Sequence, residues 1–204
     1  MQKIYPLGFA YDALLEPVLR PAKRIISHFV YKYRLTPALD LCCGTGVQVG
    51  LISNKRGQAV GLDLDGKMMR FAAKKHPGIP FVCADAASTP FQDGYFKGII
   101  ISYALHDKPP AFRRNMISEA KRLLQPQGRL VILDFEPAWN RRSRIGSVFT
   151  YLIERLAGGE HFANGRQFIH QGGLRQFLFD HALEEVDSHA IEFGNSRIVV
   201  ARFR

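Results

Sequence analysis

Cysteine is scarce in this chain, with three residues in 204, and two of them, Cys42 and Cys43, are adjacent. That usage excludes a disulfide framework and leaves no metal-ligand spacing. His170, His181 and His189 show no such spacing either, so no metal site is expected. No apolar run approaches the ~18–20 residues that cross a bilayer, and Met1 to Gly8 lack the apolar core of a secretion signal. Repeats and low-complexity linkers are also missing. The expectation is one domain over residues 1–204 in a reducing, cytoplasmic setting. Acidic residues are the minority, 18 against 28 basic, for a net charge of +10. The excess makes an anionic membrane surface or a nucleic acid conceivable as partner. It is spread along the chain and densest around Arg20, Lys23, Arg24, Lys32 and Arg34, which favours a generally basic, solvated surface.

What is present is an alternation of strand and helix patterns from Ala38 onward. Ala38 to Leu41, Gln58 to Asp63, Pro80 to Cys83, Phe96 to Ser102 and Arg129 to Phe135 read as buried strands. Val47 to Lys55, Gly66 to Lys75 and Pro110 to Leu124 read as helices, the last amphipathic with Met116, Ile117, Ala120 and Leu123 on one side. Gln125 to Gly128 reads as a turn. Alternation of this kind predicts an α/β doubly wound fold, a mainly parallel sheet with helices on both faces. Leu183 to Ile191 and Ser196 to Arg202, joined by Gly194-Asn195, predict a C-terminal antiparallel hairpin. The chain thus divides into an N-terminal helical segment (1–37, helix from Pro21 to Tyr33), a core (38–136), a helical segment (137–182) and the hairpin (183–204).

In open parallel sheets ligands bind at the carboxyl ends of the strands. Asp40, Asp63, Asp85 and Ser102 all fall at or just after such ends, which converges on one site. The first strand breaks into Cys42-Cys43-Gly44-Thr45-Gly46, a two-glycine turn before a helix. Glycine there tolerates positive φ and lets backbone approach a ligand, and the helix start offers unpaired N–H groups. Two cofactor types suit such a loop. A dinucleotide site wants a third glycine, but Val49 stands in that place. Asp40 adds negative charge where a pyrophosphate gains nothing from it. A cationic cofactor without phosphates, S-adenosylmethionine, fits better.

Asp40-Leu41-Cys42-Cys43-Gly44-Thr45-Gly46, Val60-Gly61-Leu62-Asp63 with Met68-Met69, and Ala84-Asp85-Ala86 with Pro90-Phe91 resemble the first three motifs of class I S-adenosylmethionine-dependent methyltransferases. Ser102 to His106 and Leu124 to Leu130 resemble the later motifs. The match covers about residues 38–136. The double-cysteine loop resembles the ubiquinone/menaquinone biosynthesis methyltransferase group, with departures: Val47 replaces an acid, and His106-Asp107 stand where that group has Arg-Asn.

The resemblance implies a seven-stranded, Rossmann-like methyltransferase fold and a small, hydrophobic or quinone-like acceptor. It implies cofactor contacts from Asp40 (methionine end), Cys42, Gly44 and Gly46 (backbone), Asp63 (ribose), Leu64 and Met68 (adenine faces), Asp85 and Ala86 (adenine edge), and Ser102. His106 is the base candidate, since imidazole accepts a proton near neutrality. Tyr11, Tyr103 and His161, the last in a glycine-rich break between helices, are candidate acceptor contacts. Arg141 to Ala157, with Phe149, Tyr151, Leu152 and Ile153, suits a substrate lid or a helix lying on an anionic membrane. Methylation of RNA or protein is the alternative within the enzyme class, motivated by charge; nucleic acid is the weaker partner. A non-catalytic cofactor-binding relative is the other alternative. Oligomeric state is open at this point.

Overall fold

The computed structural model describes residues 8–54, 58–141, 143–147, 151, 155, 159–191 and 195–204, with side chains from Glu16 onward. Five parallel strands, β1 (Ala38–Leu41), β2 (Ala59–Asp63), β3 (Phe81–Cys83), β4 (Phe96–Ser102) and β5 (Leu124–Phe135), join two antiparallel ones, β6 (Leu183–Ala190) and β7 (Ser196–Phe203). Their order across the sheet is β3-β2-β1-β4-β5-β7-β6. The chain order reverses between β1 and β4, which pair in parallel from Ala38–Gly98 to Leu41–Ile101. That reversal opens a crevice at the carboxyl ends of both strands, the usual ligand position in open α/β sheets. β7 slots between β5 and β6, antiparallel to both, so the terminal hairpin closes the sheet's far edge.

Period-two alternation sorts the strands onto two cores. Ile99 and Ile101 face one, with Met116, Ile117 and Leu123 of α4 (Pro110–Leu123). Phe168 of α5 (Gly159–His170) and Leu174 and Phe177 of α6 (Gly173–Asp180) complete it. Ile100 faces the other, with Ile26 and Phe29 of α1 (Gly8–Lys32) and Val49 and Ile52 of α2 (Val47–Ser53). Val49 is fully buried there, so the residue in the third-glycine place is core packing. The helix α3 (Gly66–Lys75) starts on Asp65, whose Oδ1 accepts from the N–H groups of Lys67 (2.7 Å) and Met68 (3.3 Å). Lys74 and Lys75 sit in its last turn, where the helix dipole favours cations.

Three boundaries differ from expectation. The first helix begins at Gly8 and runs through Pro17 and Pro21 instead of starting at Pro21. Both prolines are exposed and one turn apart, where water replaces the lost backbone bond. Gln125 to Gly128 is extended and continues β5 from Leu124, with a register shift between Phe96 and Gly98. His161 lies inside α5 rather than in a break between helices. Lys55, Phe149, Leu152, Ile153, Ala157 and Gly194 lie outside the described residues, as does the Tyr11 side chain.

Candidate active site

The glycine turn is fastened to the second strand by one carboxylate. Gly44 N–H donates to Asp63 Oδ2 and Asp65 N–H to Asp63 Oδ1, both at 3.0 Å. Each oxygen keeps a further lone pair, so Asp63 can still accept from a pair of ligand hydroxyls. Gly44 has φ +52°, and a Cβ built there meets nothing within 4 Å, leaving its outer side open to a ligand. Gly46 differs. A Cβ there would stand 2.6 Å from the Phe81 ring, so packing of α2 against β3 requires glycine at this position. Cys42 and Tyr103, at the ends of β1 and β4, both take left-handed backbone (φ +63° and +51°) that non-glycine residues seldom adopt. They flank the crevice from either side, a common place for stored backbone strain.

A cavity of about 230 Å³ occupies that crevice, and Cys42, Asp63, Leu64, Asp85, Ala86 and Tyr103 line it. Ala104, Asp107, Lys108 and Phe112 complete its wall. Asp85 Oδ1 accepts from Ala87 N–H at 2.8 Å, which folds the segment after β3 back toward the cavity. Leu64 is 52% exposed, an apolar side chain held at the mouth without a protein partner to cover it. Of the sequence-derived residues, Asp40, Gly44, Gly46, Met68, Ser102, His106 and His161 are not among those lining the cavity.

Asp40 sits beneath the turn, 3% exposed. Burial pushes its carboxyl up to about 7; Lys23 counteracts this and Asp63 adds to it. Burial also pushes the Cys42 thiol up to about 12 and raises that of Cys43 further, so neither is a thiolate nucleophile near neutrality. Among the described residues no group of His, Cys, Asp and Glu has the arrangement of a metal site.

His106 is held by a buried carboxylate. Its Nδ1 lies 2.8 Å from Asp134 Oδ1, its N–H donates to Asp134 Oδ2 at 3.3 Å, and it does not line the cavity. Asp134, fully buried near the end of β5, also accepts from the N–H groups of Leu105 (2.9 Å) and Phe135 (2.8 Å). It thereby sets the path of the chain after β4. Arg113 reinforces it from α4, donating to the carbonyls of Leu105 (2.8 Å), His106 (3.3 Å) and Asn164 (3.1 Å). Sequence reasoning passed over both residues. Their signals were present: Asp134 is the lone charge in Leu130 to Phe135, and Arg113 shares the apolar helix face with Met116, Ile117 and Ala120.

The cavity's remaining polar wall is Asp107 and Lys108. Lys108 Nζ donates to Asp107 Oδ2 at 2.9 Å. Burial works against the lysine's charge, but Asp107, with Cys42 and Asp63, leaves Lys108 above the ordinary lysine range. A second, smaller and mainly apolar cavity lies beyond, lined by Phe135, Tyr151, Phe162 and Ile169 among others. Between them runs a chain of tilted and edge-on rings: Tyr103 to Phe135 at 5.3 Å, His106 to Phe135 at 4.5 Å, His106 to His161 at 5.4 Å.

A mainly parallel sheet with an antiparallel terminal hairpin, a Gly44 turn over the Asp63 carboxylate and a buried acid beneath frame the crevice. Residues 38–128 match the family described as methyltransferase domain. That match spans a little under half of the chain. A 2-phytyl-1,4-naphtoquinone methyltransferase of Thermosynechococcus vestitus is 40% identical over 107 residues, covering 48% of this chain and 45% of the relative. A demethylmenaquinone methyltransferase of Thermotoga maritima is 29% identical over 134 residues, covering 65% and 57%. The chain spans about half the length of the curated relatives it matches. The chain also superposes on the magnesium protoporphyrin IX methyltransferase of Synechocystis with bound S-adenosylhomocysteine (TM-score 0.65, 19% identity, 90% and 83% coverage). PH0226 protein from Pyrococcus horikoshii superposes over 99% and 97% of the two chains (TM-score 0.65, 20% identity). At these identities the structural neighbours establish the fold.

Proposed function

We propose that this chain transfers a methyl group from S-adenosylmethionine to a small, apolar, quinone-like acceptor. The observation that carries the cofactor half is Asp63, whose two oxygens hold the glycine turn in place while it lines the cavity beside open space at Gly44. The residues fit the group: Asp63 would hold the ribose hydroxyls, Asp85 and Ala86 the adenine edge, Leu64 an adenine face, and Asp40 the cationic methionine end. The cofactor supplies an already activated methyl, so the protein's work is alignment and exclusion of water. The apolar cavity beyond the Tyr103–Phe135 wall supports an aromatic or prenylated acceptor, as do the naphthoquinone and menaquinone names of the relatives. Residues 137–182 form the lid over that side of one domain, in this reading.

Asp40 provides the test. With a carboxyl raised from 3.8 to about 7, it holds a proton at pH 6 in the free protein. The folded state keeps a proton the unfolded state has released, so this group costs stability as pH rises from about 4 to about 7. A cation bound above Asp40 favours the carboxylate and expels the proton. S-adenosylmethionine affinity is therefore expected to rise from pH 5.5 to 7.5. Calorimetry at pH 6 in buffers of different ionisation enthalpy should show proton release that Asp40→Asn abolishes. Equal proton release from wild type and variant removes Asp40 from the cofactor site.

No helix among the described residues is long and apolar enough to cross a membrane. Trp139, Ile145 and Tyr151 are nonetheless exposed beside the exposed Arg141, Arg144 and Arg155. We propose that this basic-aromatic face rests on the anionic cytoplasmic leaflet and takes the acceptor from it. Vesicles containing phosphatidylglycerol should sediment the protein at low salt, and the double variant Trp139→Ala, Ile145→Ala should stay in the supernatant. Equal binding to neutral vesicles, or none to either, contradicts this docking.

A further inference from the structure

His106 is not among the residues lining the cavity, but the next residue is. Asp107 lines the cavity with Cys42 and Asp63. Its backbone carbonyl is held by Asn164 Nδ2 at 3.0 Å, and its Oδ2 by Lys108 Nζ at 2.9 Å. Its Oδ1 is buried and has no hydrogen-bond partner among the described residues. An acceptor left unmade in the interior is costly, and a donor on a ligand is what satisfies it. On its other side Oδ2 lies 3.7 Å from Nδ1 of His161 in α5. The His161 ring stands edge-on to His106 at 5.4 Å, and the adjoining Phe162 lines the apolar cavity. Asp107 therefore joins the cofactor cavity to the one suited to an aromatic acceptor.

We propose that Asp107 is the catalytic base, with His161 taking the proton on from it, and that the acceptor is an aromatic whose hydroxyl must ionise before it attacks. This rests on the methyltransferase reading above. Asp107 accepts the hydroxyl proton as electron density moves into the ring and a ring carbon bonds to the transferred methyl. The methyl's bond to sulfur breaks with its electron pair left on sulfur. The ring carbon then loses its own hydrogen as a proton to restore the aromatic ring, the hydroxyl is reprotonated, and one proton leaves to solvent. No oxidant or reductant is consumed. His106, fixed by Asp134, keeps the His161 ring in place and is a positioning residue.

The test compares two probes of similar size with the same carbon nucleophile. One is 1,4-naphthohydroquinone kept reduced, which must lose a proton. The other is 2-hydroxy-1,4-naphthoquinone, an enol already ionised at neutral pH. Asp107→Asn is expected to lower kcat on the first by about 100-fold or more, the scale of a lost general base. On the ionised probe the loss should stay under about fivefold, and calorimetric S-adenosylhomocysteine affinity should fall by no more than the same factor. His161→Asn should show the same selectivity with a smaller loss. Equal losses on both probes, no loss on the first, or wild-type methylation of neither probe by protein that binds S-adenosylhomocysteine would overturn the assignment. Failure of the wild type to bind S-adenosylhomocysteine overturns the cofactor reading instead.

Discussion

Replacing Asp63 by alanine is expected to weaken S-adenosylhomocysteine binding by about 10- to 100-fold, or ~1.5–3 kcal/mol, the scale of hydrogen bonds to a charged group. The loss has two sources. The carboxylate's free lone pairs no longer accept from the ribose hydroxyls. The N–H groups of Gly44 and Asp65, both at 3.0 Å from that carboxylate, lose the acceptor that shapes the turn. Asp63→Asn separates the two, because an amide keeps one acceptor oxygen while its NH₂ opposes the second backbone donor. The asparagine variant should fall between wild type and alanine in titration calorimetry. Affinity unchanged in both variants removes Asp63 from the ribose role.

Gly46→Ala is expected to be the most damaging single methyl in the loop. Its φ of +73° carries a strain of ~1–2 kcal/mol for an L-residue. The new Cβ also falls 2.6 Å from Phe81 Cε1 and Cζ and 3.1 Å from Ala72 Cβ, inside a packed seam between α2, α3 and β3. Overpacking of that kind adds ~1–3 kcal/mol. A total of about 2–5 kcal/mol corresponds to a Tm lower by roughly 4–20 °C in a chain of this length. Combining it with Phe81→Ala should relieve the clash and leave the backbone strain, so the double variant loses less than the two single losses added. Gly44→Ala isolates the strain, since its Cβ meets nothing within 4 Å. A scanning-calorimetry result in which the Gly44 and Gly46 variants melt together would show that the Phe81 contact carries no energy.

The strands that hold the crevice were legible because parallel strands covered on both faces read as unbroken apolar runs. Ile99 to Ile101 is such a run, and acids stand at or near the ends of three strands, Asp40 in β1, Asp63 closing β2 and Asp85 after β3. The cofactor type was legible for a chemical reason. Asp40 and Asp63 surround a glycine turn with negative charge, and Val49 fills with core what a dinucleotide loop leaves empty. Other features depend on contacts distant in sequence. Whether His106 faces the cavity or the interior is decided by Asp134, 28 residues on, and periodicity within the loop carries no trace of that choice. The same holds for Gly46, whose partner Phe81 comes from β3. Pro17 and Pro21 signal a helix start locally, yet they lie within one continuous helix because they sit on its exposed side. Local chemistry thus identified the site, while long-range register assigned the parts within it.

The central claim is that the crevice between β1 and β4 holds a sulfonium cofactor and not a dinucleotide. Calorimetric titration of the full chain with S-adenosylmethionine and S-adenosylhomocysteine, beside NADH and NADPH, tests it most directly. The account predicts saturable binding of both sulfur ligands at micromolar concentration, weakened by Asp63→Ala, and no heat of binding from either nicotinamide. Saturable binding of a nicotinamide dinucleotide, with neither sulfur ligand bound at millimolar concentration, would contradict it.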